Sequence, residues 1–440
     1  MNHGLSICRS LILLFLTSAM CHADDTDGQT RVINHHGFFA FENGQIVKGV
    51  SGTSNEEINK GWLDRLLIQF TTEFIPSERI KFIMSVESQF GFSYPQKISD
   101  RSTYLSRFWL YPADVEALYT LGNLQQSYLQ FGFGYFPFKY DKYVRNLGEF
   151  LFRSGTYPPY IVNSFNMPFA RLLGFKVSSM ALGSLRQDLL FTSDAQIFPT
   201  QDFSLSYLTH YTIGKCLELG AGIEFAHLFS INEQLTSPDT FSSIDNKHQT
   251  MYIKENGDTG YYTFKGIKPM VSLGFDLKPL LPSAIAALMS PNDAVLYGEA
   301  CVIGWTNYKN YNTDTNMAYP DYSDRMDRTV AMVGANIPSF KLFDVLSLEL
   351  EYDPNKYPNS YLNVIESNLP TYLVLPSKNL TTLRWSIYAK KTFLDKFCLI
   401  GQVALDHMRP PQPSYIQTER DDVLSRHGDW WWALRLLVNY

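Results

Sequence analysis

The eleven residues 430–440, WWWALRLLVNY, alternate along their whole length. Successive side chains of an extended strand point to opposite sides, so Trp430, Trp432, Leu434, Leu436, Val438 and Tyr440 share one face. Trp431, Ala433, Arg435, Leu437 and Asn439 share the other. A strand in a water-soluble core rarely closes a chain with six large apolar groups on one side and no covering element to come. A lipid bilayer supplies that cover, provided that every backbone group is bonded within a closed sheet.

The rest of the chain carries the same signal in stretches of the length a tilted strand needs to cross a membrane. In 65–74, Leu66, Ile68, Phe70, Thr72 and Phe74 oppose Arg65, Leu67, Gln69, Thr71 and Glu73. In 80–90, Ile80, Phe82, Met84, Val86 and Phe90 oppose Lys81, Ile83, Ser85, Glu87 and Gln89, with a Pro76-Ser77-Glu78 turn between the two stretches. Further clear strands are 127–136, 202–211, 217–229, 267–277, 345–352, 380–393 and 397–407. Weaker ones are 36–42, 106–121, 169–178, 185–193, 294–305 and 328–337, and with 430–440 the pattern predicts sixteen, with 14 or 18 also compatible.

The links between strands alternate in length, which nothing in the choice of strands imposes. Short ones run over 75–79, 122–126, 179–184, 212–216, 338–344 and 394–396. Long polar ones run over 43–64, 91–105, 137–168, 230–261, 306–327, 353–379 and 408–429. Two break the rule: 194–201 is short, and 278–293 is long, with a helical turn expected around Ser283–Met289. The expected fold is therefore all-β, a transmembrane antiparallel barrel with short turns at one end and long loops at the other.

The closing segment resembles the terminal strand of Gram-negative outer-membrane β-barrels, with Tyr440 where that family usually has Phe. The resemblance implies that Trp432, Leu434, Leu436, Val438 and Tyr440 form a signal read by the barrel-assembly machinery, and that the lipids of the outer membrane surround the barrel. Residues 1–23 read as a cleaved secretory signal: Arg9, an apolar Leu11–Leu16 core, and Cys21-His22-Ala23 before Asp24. One domain, 24–440, follows.

Composition excludes several classes. After residue 23 no run of about 18 apolar residues exists, so no transmembrane helix is expected. Removing Arg9 leaves 36 basic against 43 acidic residues, a net charge of −7, which gives no basic stripe for nucleic acid. Cys216, Cys301 and Cys398 have neither a disulfide nor a metal spacing. No phosphate-cradling glycine loop appears and the histidines have no adjacent nucleophile; Asp406-His407 is a two-residue coincidence. No cofactor, metal or catalytic set is therefore expected.

A sixteen-strand barrel is wide enough for an aqueous lumen. By parity the charges turned inward include Lys81, Glu87, Glu218, Glu224, Lys268, Glu349, Arg384 and Arg435, of both signs, which argues against strong charge selectivity. The segment 137–168 sets Lys139, Lys142, Arg145 and Arg153 with Asp141 and Glu149 among aromatics. By its length and its place after the fifth strand it resembles the inserted third loop of general and substrate-specific porins. Gly134-Tyr135-Phe136-Pro137-Phe138 loosely resembles a strand end of phosphate-selective porins.

These resemblances imply a passive pore for small hydrophilic solutes, a homotrimer, and a constriction built on Lys139, Lys142, Arg145, Glu149 and Arg153. An external loop lying over the mouth accounts for the same segment equally well. Tyr308, Tyr311, Tyr319 and Tyr322 are candidates for sugar stacking. Two other functions fit a barrel: a surface-adhesion platform carried by the long loops, and an outer-membrane hydrolase.

Overall fold

The computed structural model describes residues 32–50, 57–94, 107–122, 127–152, 161–163, 168–179, 184–193, 203–229, 251–253, 259–261, 266–305, 324–354, 382–405 and 427–440. Its strands are β1 (Val32–Val50), β2 (Glu57–Ser77), β3 (Ile80–Tyr94), β4 (Arg107–Gly122) and β5 (Ser127–Phe138). They continue with β6 (Pro168–Ser179), β7 (Leu185–Ser193), β8 (Phe203–Ile213), β9 (Leu217–Phe229), β10 (Gly266–Asp276) and β11 (Val295–Val302). The last are β12 (Thr329–Asn336), β13 (Val345–Tyr352), β14 (Leu383–Phe393), β15 (Phe397–Leu405) and β16 (Trp430–Asn439).

Each strand pairs antiparallel with its chain neighbours, and β16 returns to β1, with Phe39 opposite Val438 and Phe41 opposite Leu436. The chain is a closed sixteen-strand barrel. A three-residue segment, Ile161–Asn163, pairs only with the start of β6, and Met251–Ile253 with Thr259–Tyr261 forms a separate small hairpin. At the seam Gly37 and Tyr440 exchange both backbone hydrogen bonds, at 3.0 and 3.1 Å, and the Tyr440 hydroxyl donates to the Gln69 carbonyl. Closure leaves no open sheet edge, which is the condition for a sheet to stand in lipid.

Alternation decides which side chains face out. Val333 is 62% exposed while its neighbour Met332 is buried, and Phe133 and Phe175 pack against each other on the outer surface with ring centroids 4.6 Å apart. On β16, Leu434, Leu436 and Tyr440 are exposed, and Trp431, Ala433, Arg435 and Leu437 are buried on the inner face. Trp62 and Trp432 meet edge to face toward the long-loop end of the outer surface. Among the described residues no helix is long and apolar enough to cross a membrane, so the strands carry the apolar surface.

The first hairpin corrects the sequence reading. In place of the predicted 36–42 strand and 43–64 link, residues 32–50 and 57–77 are two long paired strands, with Asn43 opposite Asp64 and Gln45 opposite Trp62. Polar residues interrupt the apolar alternation there, but Asn43 Nδ2 donates to Asp64 Oδ1 at 2.6 Å, so the ladder continues beyond the apolar run. At the short-turn end, Phe340-Lys341 and Leu394-Asp395 occupy left-handed backbone conformations, as tight hairpin turns require. The long turn between β10 and β11 contains the expected helical turn, at Ser283–Ala286.

Candidate functional site

After β5 the chain does not continue upward: residues 139–152 fold into the barrel. The reason is apolar. Tyr140, Val144, Leu147, Phe150, Leu151 and Phe152 are all at most 2% exposed. They pack on inward side chains of the wall: Leu172 of β6, Leu190 of β7, Leu208 of β8, Met270 of β10 and Met332 of β12. Tyr143 lies over Gly274 of β10, where an added Cβ would stand 2.5 Å from its ring, and it stacks on Tyr297 of β11 at 6.1 Å.

Burying a loop this way would orphan its main-chain donors, each a loss of a few kcal/mol in an apolar setting. Carboxylates on the opposite wall accept them. Glu349 of β13 accepts the N–H groups of Arg145, Asn146 and Leu147 at 2.6, 2.9 and 2.8 Å, and the Tyr297 hydroxyl at 2.8 Å. Glu299 of β11 accepts those of Glu149 and Phe150, both at 2.8 Å, and the Tyr140 hydroxyl. Successive N–H groups converging on one carboxylate form an anion nest, and left-handed Gly148 (φ 87°) and Glu149 (φ 58°) bend the chain to make it. On the loop itself, Glu149 accepts the Asp141 N–H at 2.8 Å and Asp141 accepts that of Tyr143 at 2.8 Å. Carbonyls are met from the wall: Arg186 donates to Tyr140 O at 2.9 Å, and Lys268, paired with Glu224 at 2.9 Å, donates to Leu151 O at 3.2 Å.

The loop's charged groups therefore have different fates. Lys139 stands 3.7 Å from Glu149, and burial pushes its ammonium below the usual lysine range. Lys142 is exposed and ion-paired with Glu218; burial lowers it, but Glu218 outweighs that and holds its pKa raised. Burial pushes the Glu149 carboxyl up to about 7 against the pull of Lys139, and burial likewise raises Asp141. Arg145 differs from all of these. It is 8% exposed, its Nε is buried without a hydrogen-bond partner, and among the described residues no carboxylate stands within ion-pair distance. Arg153 lies outside the described residues, as do Tyr308, Tyr311, Tyr319, Tyr322, Asp406 and His407.

Most of the other wall charges meet an opposite charge, whereas the Asp114 Oδ1 of β4 is buried without a hydrogen-bond partner among the described residues. Glu42 binds Arg65 at 2.7 Å and also Arg435, and Glu87 binds Arg171 at 2.8 Å. Glu116 binds Lys176 at 2.7 Å, Glu73 binds Lys81 at 2.6 Å, and Arg384 joins Glu351 and Asp353, both at 2.9 Å. Among the described residues no cluster of His, Cys, Asp and Glu is arranged to hold a metal, and His210 is buried 3.6 Å from Glu218 with no nucleophile in the contact.

Sequence reasoning missed Glu299, Tyr140 and Tyr297, and took Glu349 as one wall charge among many. The available signal was apolar character on both faces of a strand, as at Leu189-Leu190, where Leu189 is exposed and Leu190 is fully buried.

No family model and no curated protein sequence matches this chain. Similar backbones occur among solved structures. A mutant of Rh. blastica porin matches over 93% of this chain and 100% of its own length, at 9% identity and a TM-score of 0.44. Salmonella typhi OmpF in complex with daunomycin matches over 93% and 97%, at 10% identity and a TM-score of 0.45. Pseudomonas putida OprB matches over 93% and 94%, at 7% identity and a TM-score of 0.48. At such identities no residue role passes from them to this chain.

Proposed function

We propose that the protein is an outer-membrane porin, a non-enzymatic passive channel for small hydrophilic solutes in a Gram-negative-type cell. A closed barrel with an apolar outer surface supports the membrane setting, and the loop of residues 139–152, docked inside, supports the channel. A loop bound across the interior narrows the path, and the narrowest point sets what passes. One observation carries the reading: wall carboxylates hold the loop through its main chain, and among the described residues none of them pairs with the Arg145 side chain.

The constriction is accordingly centred on Arg145, with Lys139 and Lys142 largely offset by Glu149 and Glu218. A guanidinium favours anionic or hydrogen-bonding solutes. The signal over 1–23, the closing strand as an assembly signal and a homotrimer complete the proposal. In this setting the short turns lie in the periplasm.

Conductance steps in a planar bilayer test the channel, and a folded barrel that stays silent sinks it. In a salt gradient Arg145→Ala is expected to move the reversal potential toward cation preference. An unchanged reversal potential removes Arg145 from the constriction.

A further inference from the structure

The periplasmic rim of the barrel is not uniform. At the turn between β2 and β3 it presents Ser77, Glu78 and Arg79, and at the β8–β9 turn Gly214 and Lys215 with a single exposed apolar group, Ile213. Between β10 and β15 it presents a larger share of apolar groups, beside exposed Lys341, Asp395 and Lys396. Leu280, Ile285 and Leu288 stand out from the long β10–β11 turn, Phe340 and Leu342 from the β12–β13 turn, and Leu394 from the β14–β15 turn, this last 85% exposed. From Pro279 to Asn292 there is no charged residue at all.

These turns are built, not slack. The fully buried Asp293 carboxylate accepts the N–H groups of Ser290 at 2.9 Å and Ser339 at 3.1 Å, which ties the long turn to its neighbour. The Ser290 hydroxyl donates to Phe343 O at 2.7 Å, and Lys391 donates to Lys341 O at 2.7 Å, which joins the third turn to the second. Polar groups are thus consumed inside the platform while the leucines face outward. An apolar exposed surface of this kind is unfavourable in water.

The outward side chains Leu296 and Ile337 run straight into the platform, so its apolar surface continues the lipid-facing belt downward. Exposed Lys341 and Lys396 flank it, as interfacial segments carry basic groups near anionic headgroups.

We propose that the arc of turns from β10 to β15 is immersed in the inner leaflet of the membrane, its leucines among acyl chains and its lysines at anionic phospholipid headgroups. The barrel then sits deeper on this arc than at the β2–β3 turn, with its axis tilted accordingly. The inference rests on the membrane-barrel reading above.

The test uses the full-length barrel in vesicles of phosphatidylethanolamine and phosphatidylglycerol, in a background free of native cysteines. An environment-sensitive fluorophore is placed at Ile285→Cys, Phe340→Cys, Glu78→Cys and Val333→Cys, the last in the mid-wall belt. Blue-shifted emission, quenched several-fold by brominated lipid, is expected at 285, 340 and 333, with water-like emission at 78. Quenching at 333 with water-like emission at 285 and 340 overturns the inference and leaves the barrel reading standing. No quenching at 333 overturns both. A blue shift at 285 without lipid quenching, accompanied by energy transfer between labelled copies, overturns it in favour of contact with a second copy. Quenching at 78 equal to that at 285 removes the tilt and with it the proposal.

Discussion

Two sides of the interior treat carboxylates in opposite ways. Across β1 to β6 four of them meet cationic side chains, Glu42 with Arg65 and Arg435, Glu73 with Lys81, Glu87 with Arg171 and Glu116 with Lys176, while Asp114 of β4 meets none among the described residues. On β11 and β13, Glu299 and Glu349 have no such partner among the described residues and accept main-chain N–H groups of the loop instead. A side-chain pair neutralises charge in place and can be rebuilt with other residues. A carboxylate bound to three successive N–H groups fixes a stretch of backbone, so the second wall holds the loop in position.

The largest expected effect follows from breaking that anchor. Glu349→Ala leaves the N–H groups of Arg145, Asn146 and Leu147 and the Tyr297 hydroxyl without their acceptor. With hydrogen bonds to a charged group worth roughly 1.5–3 kcal/mol each, loop docking should lose about 4 kcal/mol or more. Single-channel conductance should rise, and amide exchange at 145–147 should accelerate by about a thousandfold, given a factor of ten per 1.4 kcal/mol. Unaltered exchange at these three amides would erase the distinction between the two walls.

The next effect is one of pH. Glu149 lies on the loop, outside the strands, facing Lys139 at 3.7 Å, with Asp141 beside it and its own N–H on Glu299. Its carboxyl is raised from an ordinary 4.5 to about 7, chiefly by burial. A raised group stabilises the docked state fully below about 4.5, and that contribution is lost as pH climbs through about 7. At about 1.4 kcal/mol per unit, docking should weaken by roughly 3–4 kcal/mol between acidic and mildly alkaline solution. Exchange at Tyr140 and Asp141, corrected for the intrinsic pH dependence, measures it. Glu149→Gln should flatten the profile, and a profile that Glu149→Gln leaves unchanged assigns the titration to another group.

The same contrast explains what could be read from the sequence. Sixteen strands were legible because a closed barrel gives each strand two different faces and so enforces alternation, as in Leu66, Ile68 and Phe70 against Arg65, Leu67 and Gln69. The extension of the first hairpin was not, because Asn43 and Asp64 satisfy one another only across a pairing that neither reveals alone. The inner wall was misjudged where it is apolar. Leu190, Leu208, Met270 and Met332 face inward because the loop covers them, and parity alone assigns that face to polar groups. Glu299 and Glu349 stayed hidden for a deeper reason: their partners are N–H groups about 150 and 200 residues distant in the chain, which every residue but proline possesses. Arg145 was legible as a charge, but that no described carboxylate pairs with it emerges only from the folded interior.

The smallest expected effect tests the first wall. Lys81 and Glu73 pair at 2.6 Å with side chains 23% and 18% exposed, so solvent screens the pair and holding two long side chains together offsets part of the gain. Lys81→Gln should cost about 0.5 kcal/mol in thermal or denaturant unfolding, with no change in exchange at residues 145–147. It also uncovers the Glu73 carboxylate, which should shift the reversal potential slightly toward cations. A loss comparable to that of Glu349→Ala would mean that these pairs hold structure rather than charge, and the two walls would then do the same work by different bonds.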